Sequence, residues 1–570
     1  MTDQWEELSN ERKKLQSEGH LPDWFTTQGW QAFKEKMLYK SVGYRGHCER
    51  IARTLAQWAP KTPAPFWVDP DMTWEKAFFN VLWSGKLVPS SPVACNTGTD
   101  RGFSVSCSGG YVGDSISSFY ERLGEGAKLS QTGFGISSYL GDIRERGAPF
   151  SNGEGKASGI LPVLDDFVTM AGKVSQGGAR RGAWAGYIPM AHGDFYESAM
   201  FLKNNPDDCN IGWNVYDEDI DKLNQADPDM TDRFQETMIV KAMTGKGYFM
   251  FPDKANRLAP PALKRYKTPI RASNLCTEIM LPQDEDYTFT CVLSSLNLAM
   301  FDELTPEDIF TSIVFLDCVA EDFIQKAKDI HELRRAVAFT RDFRALGLGA
   351  LGFHTYLQRK SIVLGSVQSF LENTKIFNKI RTNADNATKW LAEVQGEPSR
   401  CEGLGVRNAT LLAIAPNTTS ALVGGSVSQG IEPVFKNTYT QGTAAGEMLR
   451  INPALIELMQ EKGIYDDDHI KEVRDADGSV QDVDWLTEHE KAVFRTFPEV
   501  PQEALIDLAS ARTQIDQWQS LNLAFSSDAS EEYIASVFQK AFLDKNIKAV
   551  YYSRMSKAAK ASSGECIACE

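Results

Sequence analysis

The chain has 570 residues, is 42% apolar and carries 12 Trp, 31 Phe and 17 Tyr. That is ample for a real core and for several domain-sized units, and it excludes a disordered protein. Sixty Lys+Arg against 76 Asp+Glu leave a net charge of −16, so a nucleic-acid backbone is not the main partner, although a local basic pocket for a nucleotide remains open.

In chain order, residues 1–90 read as a helical region rich in Trp, Phe, Lys and Glu, broken by the Pro-rich KTPAPFWVDPDM. Its first residues have no apolar signal core, and no apolar run of about 18 residues follows anywhere. No membrane association is expected, and the location is cytoplasmic (the host cytoplasm for a viral chain). From 91 to 190, Gly and Ser dominate, as in CNTGTDRGFSVSCSGGYVGDS and SQGGARRGAWAG. Short apolar runs between glycine turns predict strands whose loops approach a ligand closely. Residues 230–270 read as helix up to LAPPALKRYKTP, followed by strand-like stretches around Cys276 and Cys291 and a long helical zone over about 305–395. Residues 408–440 read as strand, Gly/Thr/Ser loop, strand, and QWQSLNLAF as one more buried strand. The end of the chain, SKAAKASSGECIACE, is small and polar and predicts a mobile tail. Strands separated by helices predict an α/β architecture, open sheet or barrel.

The ten cysteines do not form a secreted disulfide framework. Only Cys566 and Cys569 make a CxxC, without a second pair to complete a zinc site, and the seven His form no ligand-spaced cluster. The segment RASNLCTEIML spaces Asn274, Cys276 and Glu278 at i, i+2 and i+4, which places all three on one face if the stretch is extended. A carboxylate raises a neighbouring thiol's pKa. Cys276 therefore suits a thiol kept protonated for hydrogen-atom chemistry beside a base better than it suits a nucleophile. An inward structural Cys with polar neighbours is the plainer alternative.

These motifs resemble the catalytic subunit of ribonucleotide reductase. They are VSCSGGYVGDSI (105–116), SQGGARRGAWAGY (175–187), SNLCTEI (273–279), CVLSSLNLA (291–299), PNTTS (416–420), GIEP (430–433), Tyr551-Tyr552 and the terminal CIAC, in the family's order. The resemblance implies a ten-stranded α/β barrel of two five-stranded halves over 91–550, with a central finger loop carrying Cys276. It places the N-terminal helical region (1–90) outside the barrel, and makes 551–570 the radical-relay tyrosines plus a redox-active tail. It assigns Cys276 as the thiyl site that takes the ribose 3′ hydrogen, Glu278 as the base on the 3′ hydroxyl and Asn274 as an orienting partner. Cys107 and Cys291 become the reducing pair, with Cys107 protonating the departing 2′ hydroxyl. Tyr551 and Tyr552 relay the radical, and Cys566 and Cys569 recharge the dithiol. Ser91, Ser106, Gly133, Pro416, Asn417, Thr418, Thr419 and Ser420 hold the substrate and its phosphates. Family members often carry Ser-Glu where this chain has Asn417-Thr418.

Asp114, Ser115, Ile116 and Arg144 match the effector site for a dNTP or ATP with Mg2+, and Gln176 and Arg180 the specificity loop. A second arginine that some members carry is replaced here by Ser151. The implied partners are ribonucleoside diphosphates, a ferritin-like small subunit that holds the metal-radical cofactor, thioredoxin or glutaredoxin, and a second copy of the chain. No catalytic cofactor is expected in this chain. Cys48, Cys209, Cys318 and Cys401 match no catalytic motif and read as structural, while Cys95 has no assigned role.

Many members begin with an ATP-binding domain of about a hundred residues, whereas this resemblance starts at LPDWFTTQGWQAFKEKML (21–38), and about twenty residues are too few for such a fold. The expectation is a short, phage-like class I form without that domain, not shut down by dATP. Three rival readings are an adenosylcobalamin-dependent reductase, an inactive nucleotide-binding regulatory subunit and a thioredoxin-like exchanger. The tyrosine pair argues against the first, the retained thiols and Glu278 against the second, and the tail position of the CxxC against the third.

Overall fold

Two runs of parallel strands, antiparallel to each other, form the core. The structure is a computed structural model that describes residues 3–150, 153–174, 182–443 and 446–555. Gln176, Arg180, Cys566 and Cys569 lie outside the described residues. The strands are β1 (Leu87–Pro89), β2 (Cys107–Tyr111), β3 (Gly135–Tyr139), β4 (Trp184–Pro189), β5 (Ile211–Asn214), β6 (Tyr248–Met250), β7 (Phe289–Thr290), β8 (Leu293–Asn297), β9 (Gly347–Leu351), β10 (Thr438–Thr443), β11 (Gly446–Ile451), β12 (Leu523–Phe525), β13 (Ala549–Val550) and β14 (Ser553–Met555).

Strands β2 to β6 pair in parallel, each with the next in sequence. The second half runs in parallel from β8 to β9, from β9 to Leu412, from Ile414 to Gln519, and from β12 to β14. Two antiparallel seams close the ring: Ser108 pairs with Thr290 across β2 and β7, and Phe249 pairs with Val550 across β6 and β13. Because β7 runs on into β8 and β13 into β14, each of these pairs acts as one strand. The result is the expected ten-stranded α/β barrel of two five-stranded halves. Crossover helices cover the strands, so β3 and β9 are buried along their whole length.

Some expectations are corrected. The helical zone 305–395 is interrupted by β9, whose sequence GLGAL has no β-branched residue to mark it as a strand. Its glycines are required by close approach: a Cβ on Gly349 would lie 2.8 Å from the Ala413 carbonyl oxygen. Strand β6 likewise interrupts the stretch read as helix from 230. In 408–440 the PNTTS stretch leads into a short helix, Thr418–Val423, and no strand follows until β10.

The helices Asp3–Ser17, Thr27–Lys36, Gly43–Ala56 and Trp74–Trp83 precede β1. Phe25, Phe33 and Tyr44 pack ring against ring within this region, and Phe78 meets Phe315 of helix Pro306–Ala327 edge-on at 5.4 Å. The helical region thus shares one apolar core with the second half-barrel. Helix Thr27–Lys36 lies against Thr418–Val423 so closely that a Cβ on Gly29 would sit 2.7 Å from the Leu422 carbonyl oxygen.

Asp317, buried on helix Pro306–Ala327, accepts from Arg344 Nε and Nη2 (3.0 and 2.7 Å), Arg407 Nε (2.9 Å) and Asn408 Nδ2 (2.9 Å). It fixes the residues that lead into β9 and into the 410–414 strand. Burial alone would raise its pKa, but the two guanidinium groups hold it down at about 2. Replacing it takes the shared anion from the partly buried Arg407 and from the buried Arg344, which retains Glu321, so Asp317→Ala should lose about 3 kcal/mol of stability at neutral pH. Urea unfolding checks this, and a loss below about 1 kcal/mol would mean the network is not structural.

Candidate active site

The segment around Cys276 is neither strand nor helix. Residues 275–277 form a tight turn in which Thr277 N–H donates to Asn274 O (3.3 Å), and Thr277 sits at φ +66°, a left-handed conformation that a β-branched residue adopts only under constraint. Asn274, Cys276 and Glu278 therefore converge through a turn and not through strand alternation. The barrel wall supplies the constraint. Tyr187 Oη donates to Asn274 O (2.6 Å), Ser137 Oγ to Ser273 O (2.7 Å), Ser520 Oγ to Cys276 O and Trp518 N–H to Glu278 O (2.9 Å). Asn274 Oδ1 accepts from Ile279 N–H (3.1 Å) and closes the turn from within.

Cys107 and Cys291 are joined by a disulfide, with Cα atoms 5.1 Å apart across the β2–β7 seam. Cys291 N–H donates to Cys107 O (2.9 Å), so the bond spans two directly paired strands. Asn274 Nδ2 donates to Cys107 Sγ (3.2 Å) and ties the turn to the disulfide. Cys276 and Glu278 are both buried. Burial pushes the Glu278 carboxyl up to about 7, with its own backbone and Asn274 opposing the rise, and Glu278 Oε2 is buried with no hydrogen-bond partner. An orphaned carboxyl oxygen of this kind marks a place for a ligand hydroxyl.

The Tyr551 and Tyr552 rings lie 4.0 Å apart by centroid where β13 passes into β14. A third phenol, which the sequence did not single out, joins them. The Tyr248 ring of β6 is 4.7 Å from Tyr551, and its hydroxyl donates to Tyr552 Oη (3.3 Å). The buried Lys241 donates to Tyr551 O (3.0 Å), and burial lowers its pKa to about 7. Nothing local in the sequence points to either residue, because pairing across the seam creates the cluster.

Asn417, at φ +63°, caps helix Thr418–Val423, but its side chain is engaged internally. It accepts from Ser295 Oγ (2.9 Å) and donates to Ala350 O and Ala415 O (3.1 and 2.9 Å). It shapes the loop instead of presenting its amide to a ligand. Thr418 donates to Gln429 Oε1 (3.4 Å), Ser420 donates to Pro89 O (3.2 Å), and Lys36 Nζ donates to Thr419 Oγ1 (3.3 Å). Lys36 is a cation at the loop that sequence reading missed. Ser106 Oγ donates to Ser90 Oγ (3.3 Å), Ser91 Oγ is buried without a partner, and Gly133 takes φ +98°. Away from the barrel interior, Arg144 Nε donates to Asp114 Oδ2 (2.5 Å), Ser115 caps helix Ile116–Gln131, and Ile116 is exposed. Cys48, Cys209, Cys318 and Cys401 are buried, while Cys95 is partly exposed and donates to Lys36 O (3.4 Å). Among the described residues no helix is long and apolar enough to cross a membrane, and no group of three or more His, Cys, Asp or Glu could hold a metal ion.

A ten-stranded barrel that places three cysteines, two of them joined as a disulfide, and a buried carboxyl in its interior is the layout of a thiol-based oxidoreductase. The ribonucleotide reductase barrel domain matches residues 105–226, 213–403 and 399–553, and the ribonucleotide reductase all-alpha domain matches residues 23–102. The chain belongs to the ribonucleotide reductase large-subunit family. It is 31% identical over 555 residues to the ribonucleoside-diphosphate reductase large subunit of Invertebrate iridescent virus 3, covering 83% of this chain and 86% of that one. It is 33% identical over 493 residues to the putative large subunit of Frog virus 3, covering 82% and 85%. Its fold is similar to the solved Actinobacillus ureae class Id ribonucleotide reductase alpha subunit, with a TM-score of 0.85, 33% identity and coverage of 95% of this chain and 99% of that one. The chain is thus a ribonucleotide-reducing oxidoreductase that serves deoxyribonucleotide synthesis and works with a small subunit carrying the radical cofactor.

The Glu278 environment has a consequence for stability. The folded carboxyl titrates near 7 against an ordinary 4.5, so between those values the folded state holds the proton that the unfolded chain releases. Stability is therefore complete below about pH 4.5 and falls as pH rises through 7, by about 3 kcal/mol in total. Glu278→Gln removes this dependence and should gain on the parent chain by up to about 3 kcal/mol between pH 5 and pH 8 in urea unfolding. An equal difference at both pH values would show that the carboxyl ionises without penalty.

Proposed function

We propose that the chain reduces ribonucleoside diphosphates to 2′-deoxyribonucleoside diphosphates with Cys276 as the radical site. The observation that carries this reading is the buried, partnerless Glu278 Oε2 on the same turn as Cys276, with Asn274 tying that turn to the Cys107–Cys291 disulfide. In the forward reaction the pair starts as a dithiol. Cys276 takes hydrogen from ribose C3′, Glu278 accepts the 3′ hydroxyl proton, and Cys107 protonates the leaving 2′ hydroxyl, which departs as water. The two electrons come from Cys107 and Cys291, which end as the disulfide, and Cys276 returns the hydrogen to C3′. The balance is one dithiol and one ribonucleotide to one disulfide, one deoxyribonucleotide and one water.

The substrate phosphates lie over Thr418, Thr419 and Ser420 at the start of the helix, where Lys36 adds charge, with Ser91, Ser106 and Gly133 lining the sugar side. The radical arrives from a ferritin-like small subunit through Tyr552 and Tyr551. Cys566 and Cys569 pass electrons from thioredoxin or glutaredoxin to the interior pair. Asp114, Ser115, Ile116 and Arg144 receive a deoxynucleoside triphosphate with Mg2+ at the face where two copies meet, and Gln176 and Arg180 relay its identity to the substrate base. Neither the adenosylcobalamin nor the inactive-subunit reading is favoured, given the class Id structural neighbour and the full set of thiols.

Cys276→Ser should abolish CDP reduction in the presence of the small subunit while leaving CDP binding intact, because a hydroxyl of similar size does not become the abstracting radical; multiple-turnover activity in this variant would overturn the assignment. Cys566→Ser together with Cys569→Ser should give about one product per active site with thioredoxin and then stop, with dithiothreitol partly restoring turnover, since the interior disulfide is reached only by a carrier dithiol. Sustained thioredoxin-driven turnover would remove the tail from the scheme.

A further inference from the structure

We infer that Glu432 and Asn522 are a positioning pair for Tyr552. The inference rests on the proposed radical relay. Asn522, from QWQSLNLAF, accepts the Tyr552 N–H at Oδ1 (3.0 Å) and donates through Nδ2 to Glu432 Oε1 (2.5 Å). Both side chains are buried, at 3% and 9% exposure. The GIEP segment that carries Glu432 has no role in the chemistry described above.

The arrangement has a polarity that the carboxylate sets. A carboxylate accepts and cannot donate, so it draws the NH2 end of the Asn522 amide and turns the carbonyl end toward Tyr552. Without the carboxylate, the amide is free to rotate and to set its NH2 against the Tyr552 N–H, donor against donor. The other main-chain bonds here, from Tyr551 N–H to Leu521 O (2.8 Å) and from Leu523 N–H to Tyr552 O (3.0 Å), fix the strand. Asn522 holds the Tyr552 N–H from the side. The placement of that peptide governs the 4.0 Å separation of the two phenol rings and the contact with Tyr248, and a relay of electrons and protons depends steeply on such separations.

The Glu432 loop also reaches the proposed phosphate site. Glu432 N–H donates to Gln429 O (3.0 Å), and Gln429 Oε1 accepts from Thr418 (3.4 Å). The pair thus fixes Tyr552 relative to the substrate loop and not only to its own strand.

The test uses the full chain with its small subunit. Asn522→Asp faces Glu432 with a second carboxylate, and kcat for CDP reduction should fall at least about a hundredfold, with KM for CDP, dNTP binding and reduction of the interior disulfide unchanged. Adding Glu432→Gln restores a donor opposite the new carboxylate with reversed polarity, and the double variant should recover activity to within about tenfold of the parent. Where Asn522→Asp does not fold, Asn522→Ala, which adds no charge, should lower kcat at least about tenfold at constant KM. Full activity in the single variants, or a double variant no better than Asn522→Asp alone, overturns the inference. Tyr552→Phe is the control for the relay itself: if it turns over normally, the relay reading fails, whereas an inactive Tyr552→Phe beside a fully active Asn522→Asp refutes only the positioning pair.

Discussion

A turn of irregular backbone inside a barrel is possible only if its peptide groups find partners, because each buried N–H or C=O left unpaired costs about 1–3 kcal/mol. In this protein the wall meets that demand. Side chains from β3 and β4, together with the 517–520 segment, bond to Ser273, Asn274, Cys276, Glu278 and Met280. The strained Thr277 persists because both halves of the barrel over-determine it. The same bonds that satisfy the backbone also fix the directions of Cys276 and Glu278, so folding and site assembly are one event. They further keep the carboxyl dry, and burial holds it near 7 instead of in the ordinary carboxylate range.

The two antiparallel seams bring together the rest of the proposed site. At one seam, the pairing of β2 with β7 brings Cys107 and Cys291 to a Cα separation of 5.1 Å, within the range a disulfide spans without moving the backbone. Oxidation and reduction can then alternate while the barrel stays put. At the other seam, the chain crosses from the β6 edge to β12, and Tyr551, Tyr552 and Tyr248 meet there. Parallel strands within a half leave little freedom, since every neighbour is set by a crossover helix. The seams are where residues distant in sequence face each other directly.

The helical residues before β1 are more than a flank. They share a core with the second half-barrel, and helix Thr27–Lys36 carries Lys36 to the Thr419 hydroxyl. A chain with a net charge of −16 therefore places a cation where an anionic substrate is proposed to sit, which favours the substrate at close range while the surface as a whole repels polyanions.

Much of this was legible in the order of residues. The spacing of Asn274, Cys276 and Glu278, the Tyr551-Tyr552 pair and the glycine-rich stretches marked the residues of the proposed site, because reactive side chains and turn residues are local signals. Strands β6 and β9 were not legible: GLGAL has no β-branched residue to mark it, and it is a strand because Leu293 and Ala413 press on either side of its glycines. Nor could the sequence show that the Cys276 segment is a turn, that Asn417 faces inward, or that Tyr248, Lys36, Glu432 and Asn522 stand beside the site. Each of those facts depends on pairing between segments tens to hundreds of residues apart. The chemistry was written in side-chain identity, and its geometry was decided by hydrogen bonds that exist only once the two halves close.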